Sequence, residues 1–342
     1  MNRKVITNIL VALIIGISVL VIISSVSKEK VPWDEILSRE VIRLLIVGIF
    51  INIIYFIIDG FRVYKMASAL GGKLRFIDAV ESCLMYSFFS AITPSSIGGQ
   101  PFQIYFLAKK GIKSETATNI TLFRAFEYLL MVFGVDIYAL IFILPHLSQW
   151  TVGKTIIGLG FAGNLLSVIL IGVIMMRPDI FKFVIAELKK IKRLTSFIER
   201  WEKQCYAWID SLKLSINSLW RDKKTVIFDF FLLLILILLH SYLFFLPVRE
   251  LTGAKISFVT FFGIQMLLSS LGSYIPTPGA SGGIEAIFYS SFKDIISSPQ
   301  YLLLGITIYR IVTYYLIILV GIPVIIKNQK LLIWRENGDN KV

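Results

Sequence analysis

Thr93-Pro94-Ser95-Ser96-Ile97-Gly98-Gly99-Gln100-Pro101 interrupts an apolar run over 76–109, and Pro276-Thr277-Pro278-Gly279-Ala280-Ser281-Gly282-Gly283 interrupts a second run over 257–293. Proline removes a helix hydrogen bond and glycine costs helix stability, so neither run forms one continuous helix. A break at membrane depth is tolerated only where protein or an enclosed cavity satisfies the freed backbone. Each run therefore reads as a re-entrant helical hairpin. The competing reading is a pair of full spans joined by a surface turn.

Sliding the second break onto the first at an offset of 184 residues matches Thr93 with Thr277, Pro94 with Pro278, Gly98 with Gly282 and Gly99 with Gly283. Tyr105 with Tyr289 and Lys109 with Lys293 extend the match. Each hairpin is preceded and followed by a full span. The two halves thus read as an inverted repeat, the architecture of many secondary transporters, in which broken helices meet near the bilayer midplane.

The rest of the chain agrees with a membrane setting. Of 342 residues, 56% are hydrophobic and 17% charged, and the mean hydropathy is +0.77. A soluble domain carries more charge than that. Apolar stretches long enough to cross the hydrocarbon core are Val5–Val26, Val41–Tyr64, Ala117–Leu144, Val152–Met176, Thr225–Pro247 and Leu302–Ile326. The first follows Arg3 and Lys4 but lacks a small-residue cleavage site, so it reads as a retained span and not a signal peptide. The expected fold is an all-α polytopic membrane protein with about six full spans and two re-entrant hairpins.

This divides one integral membrane domain into a first span and outer loop (1–40), a first repeat (41–145), a linking span (146–176), a basic segment (177–224), a second repeat (225–326) and a tail (327–342). With the N-terminus in the cytoplasm, segments on that side carry 25 Lys and Arg against 7 outside. The positive-inside rule then places both termini in the cytoplasm of a multi-pass cell-membrane protein.

The net charge of +13 does not signal nucleic acid, because the basic residues sit between apolar runs and no nucleic-acid motif is present. Two cysteines, Cys83 and Cys205, and two histidines, His146 and His240, are too few for a disulfide scaffold or a metal centre. No nucleotide-binding loop is found, and no cofactor is expected. In 177–224 apolar residues recur every three or four positions from Ile180 to Leu219, with basic residues between them. That pattern makes one or two amphipathic helices, lying on anionic lipid at the cytoplasmic leaflet or packed on the bundle.

Ionisable side chains inside spans are costly and face a cavity or a partner. Arg124 and Glu127 share a helical face, with Asp136 further along, and Arg310 takes nearly the equivalent place in the second half. Glu81 aligns with Gln265 at the same offset. Arg124 either pairs with Glu127 and locks helices or clamps a phosphate, since a guanidinium binds phosphate through forked hydrogen bonds. Arg310 has no acid three or four residues away, which directs it to a ligand or a distant partner. Asp59 reads as an interfacial acid or a partner of Arg62, Asp229 as an acid near the membrane surface, and His240 as a hydrogen-bonded core residue.

At these residues the chain resembles the lysylphosphatidylglycerol synthase transmembrane family, the flippase-like domain of the multiple peptide resistance factor. The resemblance rests on Thr93-Pro94 with Gly98-Gly99, on Arg124 and Glu127, on Pro276-Thr277-Pro278-Gly279 with Gly282-Gly283-Ile284-Glu285, and on Tyr309-Arg310. Ser95-Ser96 stand where the family often carries glycines. The resemblance implies movement of a phospholipid such as lysyl-phosphatidylglycerol between leaflets, and adds Glu285 to the headgroup candidates Arg124, Glu127, Arg310, Glu81 and Gln265. Full-length relatives add a soluble transferase domain after the membrane region. This sequence ends about 16 residues after its last span, so aminoacyl transfer is not expected of it. The membrane half of a synthase with a separate transferase, a carrier of a polyprenyl-phosphate lipid, and a homo-oligomer stay open as alternatives or additions.

Overall fold

The computed structural model describes residues 18, 32–146, 154–191, 195–272, 274–296 and 298–328. The expected span Val5–Val26 and nearly all of the tail lie outside the described residues. Within them the chain is helical, and its one β-bridge joins Pro94 to Pro278 in antiparallel sense.

Helix α1 (Arg39–Ala69) starts at Ser38, whose hydroxyl accepts the Val41 N–H at 3.2 Å. The first hairpin is α2 (Phe76–Ile92) and α3 (Gly99–Lys109), followed by α4 (Ser114–Phe142) and α5 (Lys154–Met176). The amphipathic segment forms α6 (Ile180–Lys189) and α7 (Thr195–Arg221). The second half runs through α8 (Lys223–Thr252), the hairpin α9 (Phe258–Gly272) and α10 (Gly283–Phe292), and α11 (Pro299–Arg310). A π-helical turn over Ile311–Tyr315 then leads into α12 (Leu316–Lys327).

The offset of 184 residues carries α1 onto α8, each hairpin arm onto its counterpart, and α4 onto α11, the π turn and α12. It even superposes the helix starts: Asp222, the equivalent of Ser38, accepts the Thr225 N–H at 3.2 Å. Side-chain capping of this kind satisfies a backbone donor that the helix itself cannot. The repeat is therefore present in the fold over its whole length.

Both interrupted runs are re-entrant. Lys110 at the close of the first hairpin lies 2.8 Å from Asp78 at its opening, so both ends share one face of the bundle. The rings of Phe261 and Phe292 stack at 4.6 Å and do the same for the second hairpin. Lys327 pairs with Glu81 at the first hairpin's face, called here the Ala69 end. Arg43 pairs with Glu250 at 2.8 Å near the opposite, Thr252 end. The hairpins thus enter from opposite ends, and their tips touch at Pro94 and Pro278.

The tips also share a backbone shape. Ser95 and Ser96 have φ of 51° and 57°, and their equivalents Gly279 and Ala280 have 57° and 54°. The left-handed region costs a side-chain-bearing residue about 1–2 kcal/mol. Serine at both first-tip positions accepts that strain where glycine would avoid it. Gly98 and Gly282 break the symmetry, with φ of −67° and 90°.

Among the described residues, five helices are long and apolar enough to cross a membrane: Arg39–Ala69, Ser114–Phe142, Ile157–Met176, Lys223–Thr252 and Pro299–Lys327. They correspond to five of the six expected spans. The C-terminal half of α7 is absorbed by the bundle: Ile209 is buried, and Leu212, Ile216 and Leu219 share a core cluster with Ala67, Leu74 and Ile120. Helix α6 keeps Phe183, Val184 and Leu188 exposed and is fixed to α7 by Lys182–Asp210 and Lys189–Glu202 ion pairs.

A Cβ on Gly99 would lie 2.6 Å from the Tyr86 carbonyl oxygen, whereas one on Gly134, mid-helix in α4, meets nothing within 4 Å. Gly99→Ala is expected to destabilise by roughly 1–3 kcal/mol through overpacking of the hairpin. Gly134→Ala is expected to stabilise by up to about 1 kcal/mol. Thermal unfolding of both variants in the same detergent checks the contrast.

Candidate functional site: an arginine-lined cavity between the two tips

A cavity of about 570 Å³ lies between the repeats. Its wall includes Ser95–Ile97 of the first tip and Gly279 of the second, and it takes side chains from α1, α2, α3, α4, α8 and α11. Tyr55, Tyr86, Tyr128, His240, Tyr309 and Tyr314 are among its lining residues. The His240 Nε2 and Tyr309 hydroxyl lie 2.8 Å apart, so His240 is indeed hydrogen-bonded.

Both Arg124 and Arg310 line this cavity. Counted at 1.5 Å per residue, each sits roughly 15 Å into its helix, Arg124 from the Ala69 end and Arg310 from the Thr252 end. The two guanidiniums are placed as an inverted repeat requires.

The Arg124–Glu127 pair, one of the two readings of Arg124, is not formed. Arg124 pairs instead with Asp59 of α1 and donates from Nη1 to the Gln103 Oε1 at 3.1 Å. Its buried Nε has no hydrogen-bond partner. Glu127 turns to Arg62, 2.9 Å away, because Arg62 is the hub of the buried cluster. Arg62 donates from Nε to the Asp229 Oδ1 at 3.0 Å and from Nη2 to the Asp229 Oδ2 at 2.6 Å, and lies 3.5 Å from Asp59. Asp229 is 3% exposed and ties α8 to α1.

The structure gives Arg310 a distant partner. Its Nε lies 2.8 Å from the Glu285 Oε1, though without hydrogen-bond geometry, and its guanidinium stacks 4.1 Å above the Tyr314 ring. The buried Nη2 has no partner. Glu285 uses its other oxygen to accept the Gly282 N–H at 2.8 Å, which holds the left-handed turn at the start of α10. Immediately after Arg310 the helix widens into the π turn, and Asn52 of α1 donates to the Val312 carbonyl there at 3.0 Å. Inserted π turns often accompany functional sites.

The remaining candidates lie off the cavity wall. Glu81 sits at the Ala69 end, paired with Lys327 and accepting from Asn328 at 3.1 Å. Gln265 is fully buried on α9. Within the breaks, Thr93 accepts the Gly98 N–H at 2.9 Å, and Thr277 donates to the Ser281 carbonyl at 2.8 Å. Arg62, Asp229, Gln103 and Tyr314 were absent from the sequence-derived candidates. Arg62 and Asp229 each lie inside an apolar span, and that is the signal that marks them.

The family model described as the lysylphosphatidylglycerol synthase TM region matches residues 9–321. The chain belongs to that family. A UPF0104 membrane protein of Archaeoglobus fulgidus is 26% identical over 113 residues, which is 33% of this chain and 34% of the relative. The chain thus aligns with about a third of that relative's length.

Removing one partner of a buried ion pair leaves an uncompensated charge and is strongly destabilising. Asp229→Asn is therefore expected to cost roughly 3 kcal/mol, softened by the Glu127 and Asp59 contacts that Arg62 retains. Arg62→Met, which strands Glu127 and Asp229 while Asp59 keeps Arg124, is expected to be harsher still. Melting temperatures of the purified proteins check the order.

Proposed function

We propose that the protein moves a phospholipid across the bilayer, its headgroup passing through the cavity while the inverted repeats alternate access. The observation that carries this reading is the pair of unspent arginine donors, Arg124 Nε and Arg310 Nη2, on the wall of one cavity and reached from opposite ends. Arginine recognises phosphate through paired N–H donors, and a buried donor without a partner is a site prepared for an acceptor. Arg62 has no such reserve, since its nitrogens are committed to three carboxylates.

The family description makes lysyl-phosphatidylglycerol the first cargo to test. The carboxylate of Asp59, on the cavity wall beside Arg124, offers a headgroup ammonium a complement while the phosphate takes the guanidinium. In this reading the chain carries the lipid and does not make it: purified protein transfers no lysyl group from charged tRNA to phosphatidylglycerol. Should a transferase be a partner, its product is the cargo.

The same reading puts the Ala69 end in the cytoplasm, where the basic segment meets anionic lipid through the exposed apolar face of α6. Single cysteines at Lys109 and Lys293 should then react with impermeant reagents from the cytoplasmic and outer sides respectively. Labelling of both from one side rules the arrangement out.

Arg310→Lys keeps the charge but loses the planar fork. Its lipid translocation in proteoliposomes is expected to fall at least about tenfold, equivalent to ~1.4 kcal/mol, with little change in melting temperature. Arg310→Ala should transport less again. Wild-type rates from the Arg310→Ala protein at equal reconstitution density would end the phosphate reading.

A further inference from the structure

Asp136 is buried on α4 at the junction with α5 and α9, and none of the ion pairs among the described residues reaches it. Its Oδ2 accepts from the Asn164 Nδ2 at 3.1 Å and meets the Ser270 hydroxyl at 2.8 Å. Both helices that enclose it are free of charge at this depth. α9 contains no ionisable residue, and α5 carries only Lys154 at its first position. On α4 itself Tyr128 lines the cavity and Glu127 is spent on Arg62. Asp229 and His240 of α8 are engaged with Arg62 and Tyr309, and Glu285 of α10 with Arg310. The hydroxyl of Tyr274 binds Ser167 of α5 at 3.3 Å.

An ionised carboxylate at such a place has neither a counter-charge nor enough donors. The Ser270 hydroxyl has one hydrogen, yet it lies within reach of two acceptors, the Asp136 Oδ2 and the Met266 carbonyl at 3.2 Å. The Asp136 Oδ1 and the Asn164 Oδ1 are buried without any donor. The site is short of hydrogens, not of oxygens. One added proton on Oδ2 repairs the chain, because Asp136 then donates to Ser270, which donates to Met266. A hard metal cation asks for more ligands than the three side-chain oxygen groups present.

We propose that Asp136 is a proton-binding site, and that its protonation and release couple the movement of α4 against α5 and α9 to a proton gradient. The inference rests on the carrier reading above, because α4 also carries Arg124. Asp136 lies roughly 9 Å from the Phe142 end of α4, so its proton exchanges with the side opposite the Arg62 cluster. Membrane-embedded acids of this kind are the usual proton relays of transporters.

Two measurements on the full chain test it. In nanodiscs, infrared difference spectra between alkaline and acid buffer should show a protonated-carboxyl band that is lost in Asp136→Asn and shifted in Asn164→Leu, which removes only a hydrogen-bond partner. A band unchanged in both variants overturns the proton site. In proteoliposomes, an imposed pH gradient should change the wild-type lipid translocation rate several-fold, and Asp136→Asn should not respond. A wild-type rate that follows a sodium gradient and ignores the pH gradient, or an Asp136→Asn protein that responds like wild type, overturns the coupling. Lipid movement absent from the wild type, with the carboxyl band present, fails the carrier reading and removes the coupling with it, leaving the proton site standing.

Discussion

A helix broken inside a bilayer leaves peptide groups that lipid cannot satisfy. This chain breaks two, and it answers the cost by bringing the breaks together. Pro94 meets its own repeat equivalent Pro278, so the contact lies where a two-fold relation between the halves requires it. The Tyr314 hydroxyl stands within hydrogen-bond distance of the Ala91 carbonyl at 3.2 Å and the Pro278 carbonyl at 3.3 Å, one from each tip. Threonine side chains and Glu285 satisfy further groups within each tip. With the tips joined, the space beside them becomes a cavity lined by Arg124, Arg310 and several tyrosines, and the rest of the site follows from that.

The charges around the cavity divide by what they have left to give. Arg62 binds α1, α4 and α8 into one unit by meeting three acids, and its burial is compensated by that neutralisation. Arg124 and Arg310 are only partly engaged, and each keeps a buried donor without a partner. Arg62 is saturated and fastens helices, whereas the spare donors of Arg124 and Arg310 are what the proposed headgroup site draws on. The π turn after Arg310 adds to the asymmetry, since the equivalent stretch of α4 from Glu127 onward is regular helix.

The amphipathic segment shows how a periodic pattern underdetermines its partner. Its apolar stripe is continuous in sequence, yet Ile209, Leu212, Ile216 and Leu219 are buried in the bundle while Phe183 and Val184 of α6 stay exposed. Hydrophobic spacing fixes which face is apolar. Only the packing of α7 across α4 decides how much of that face is left for lipid.

The sequence by itself determined the helical membrane fold, both re-entrant breaks and the inverted repeat, because apolar length, proline, glycine and a duplicated motif are local properties of the chain. It also marked Arg124 and Arg310, since charge in an apolar span is visible without coordinates. The choice of partner was decided by tertiary structure alone. Glu127, three residues from Arg124, belongs to Arg62, and Asp59 reaches Arg124 across helices. Asp229 became a core residue, and Glu81 moved to the periphery with Lys327. Ion pairing is set by distance through space and by desolvation, and neither is written in the spacing along one helix.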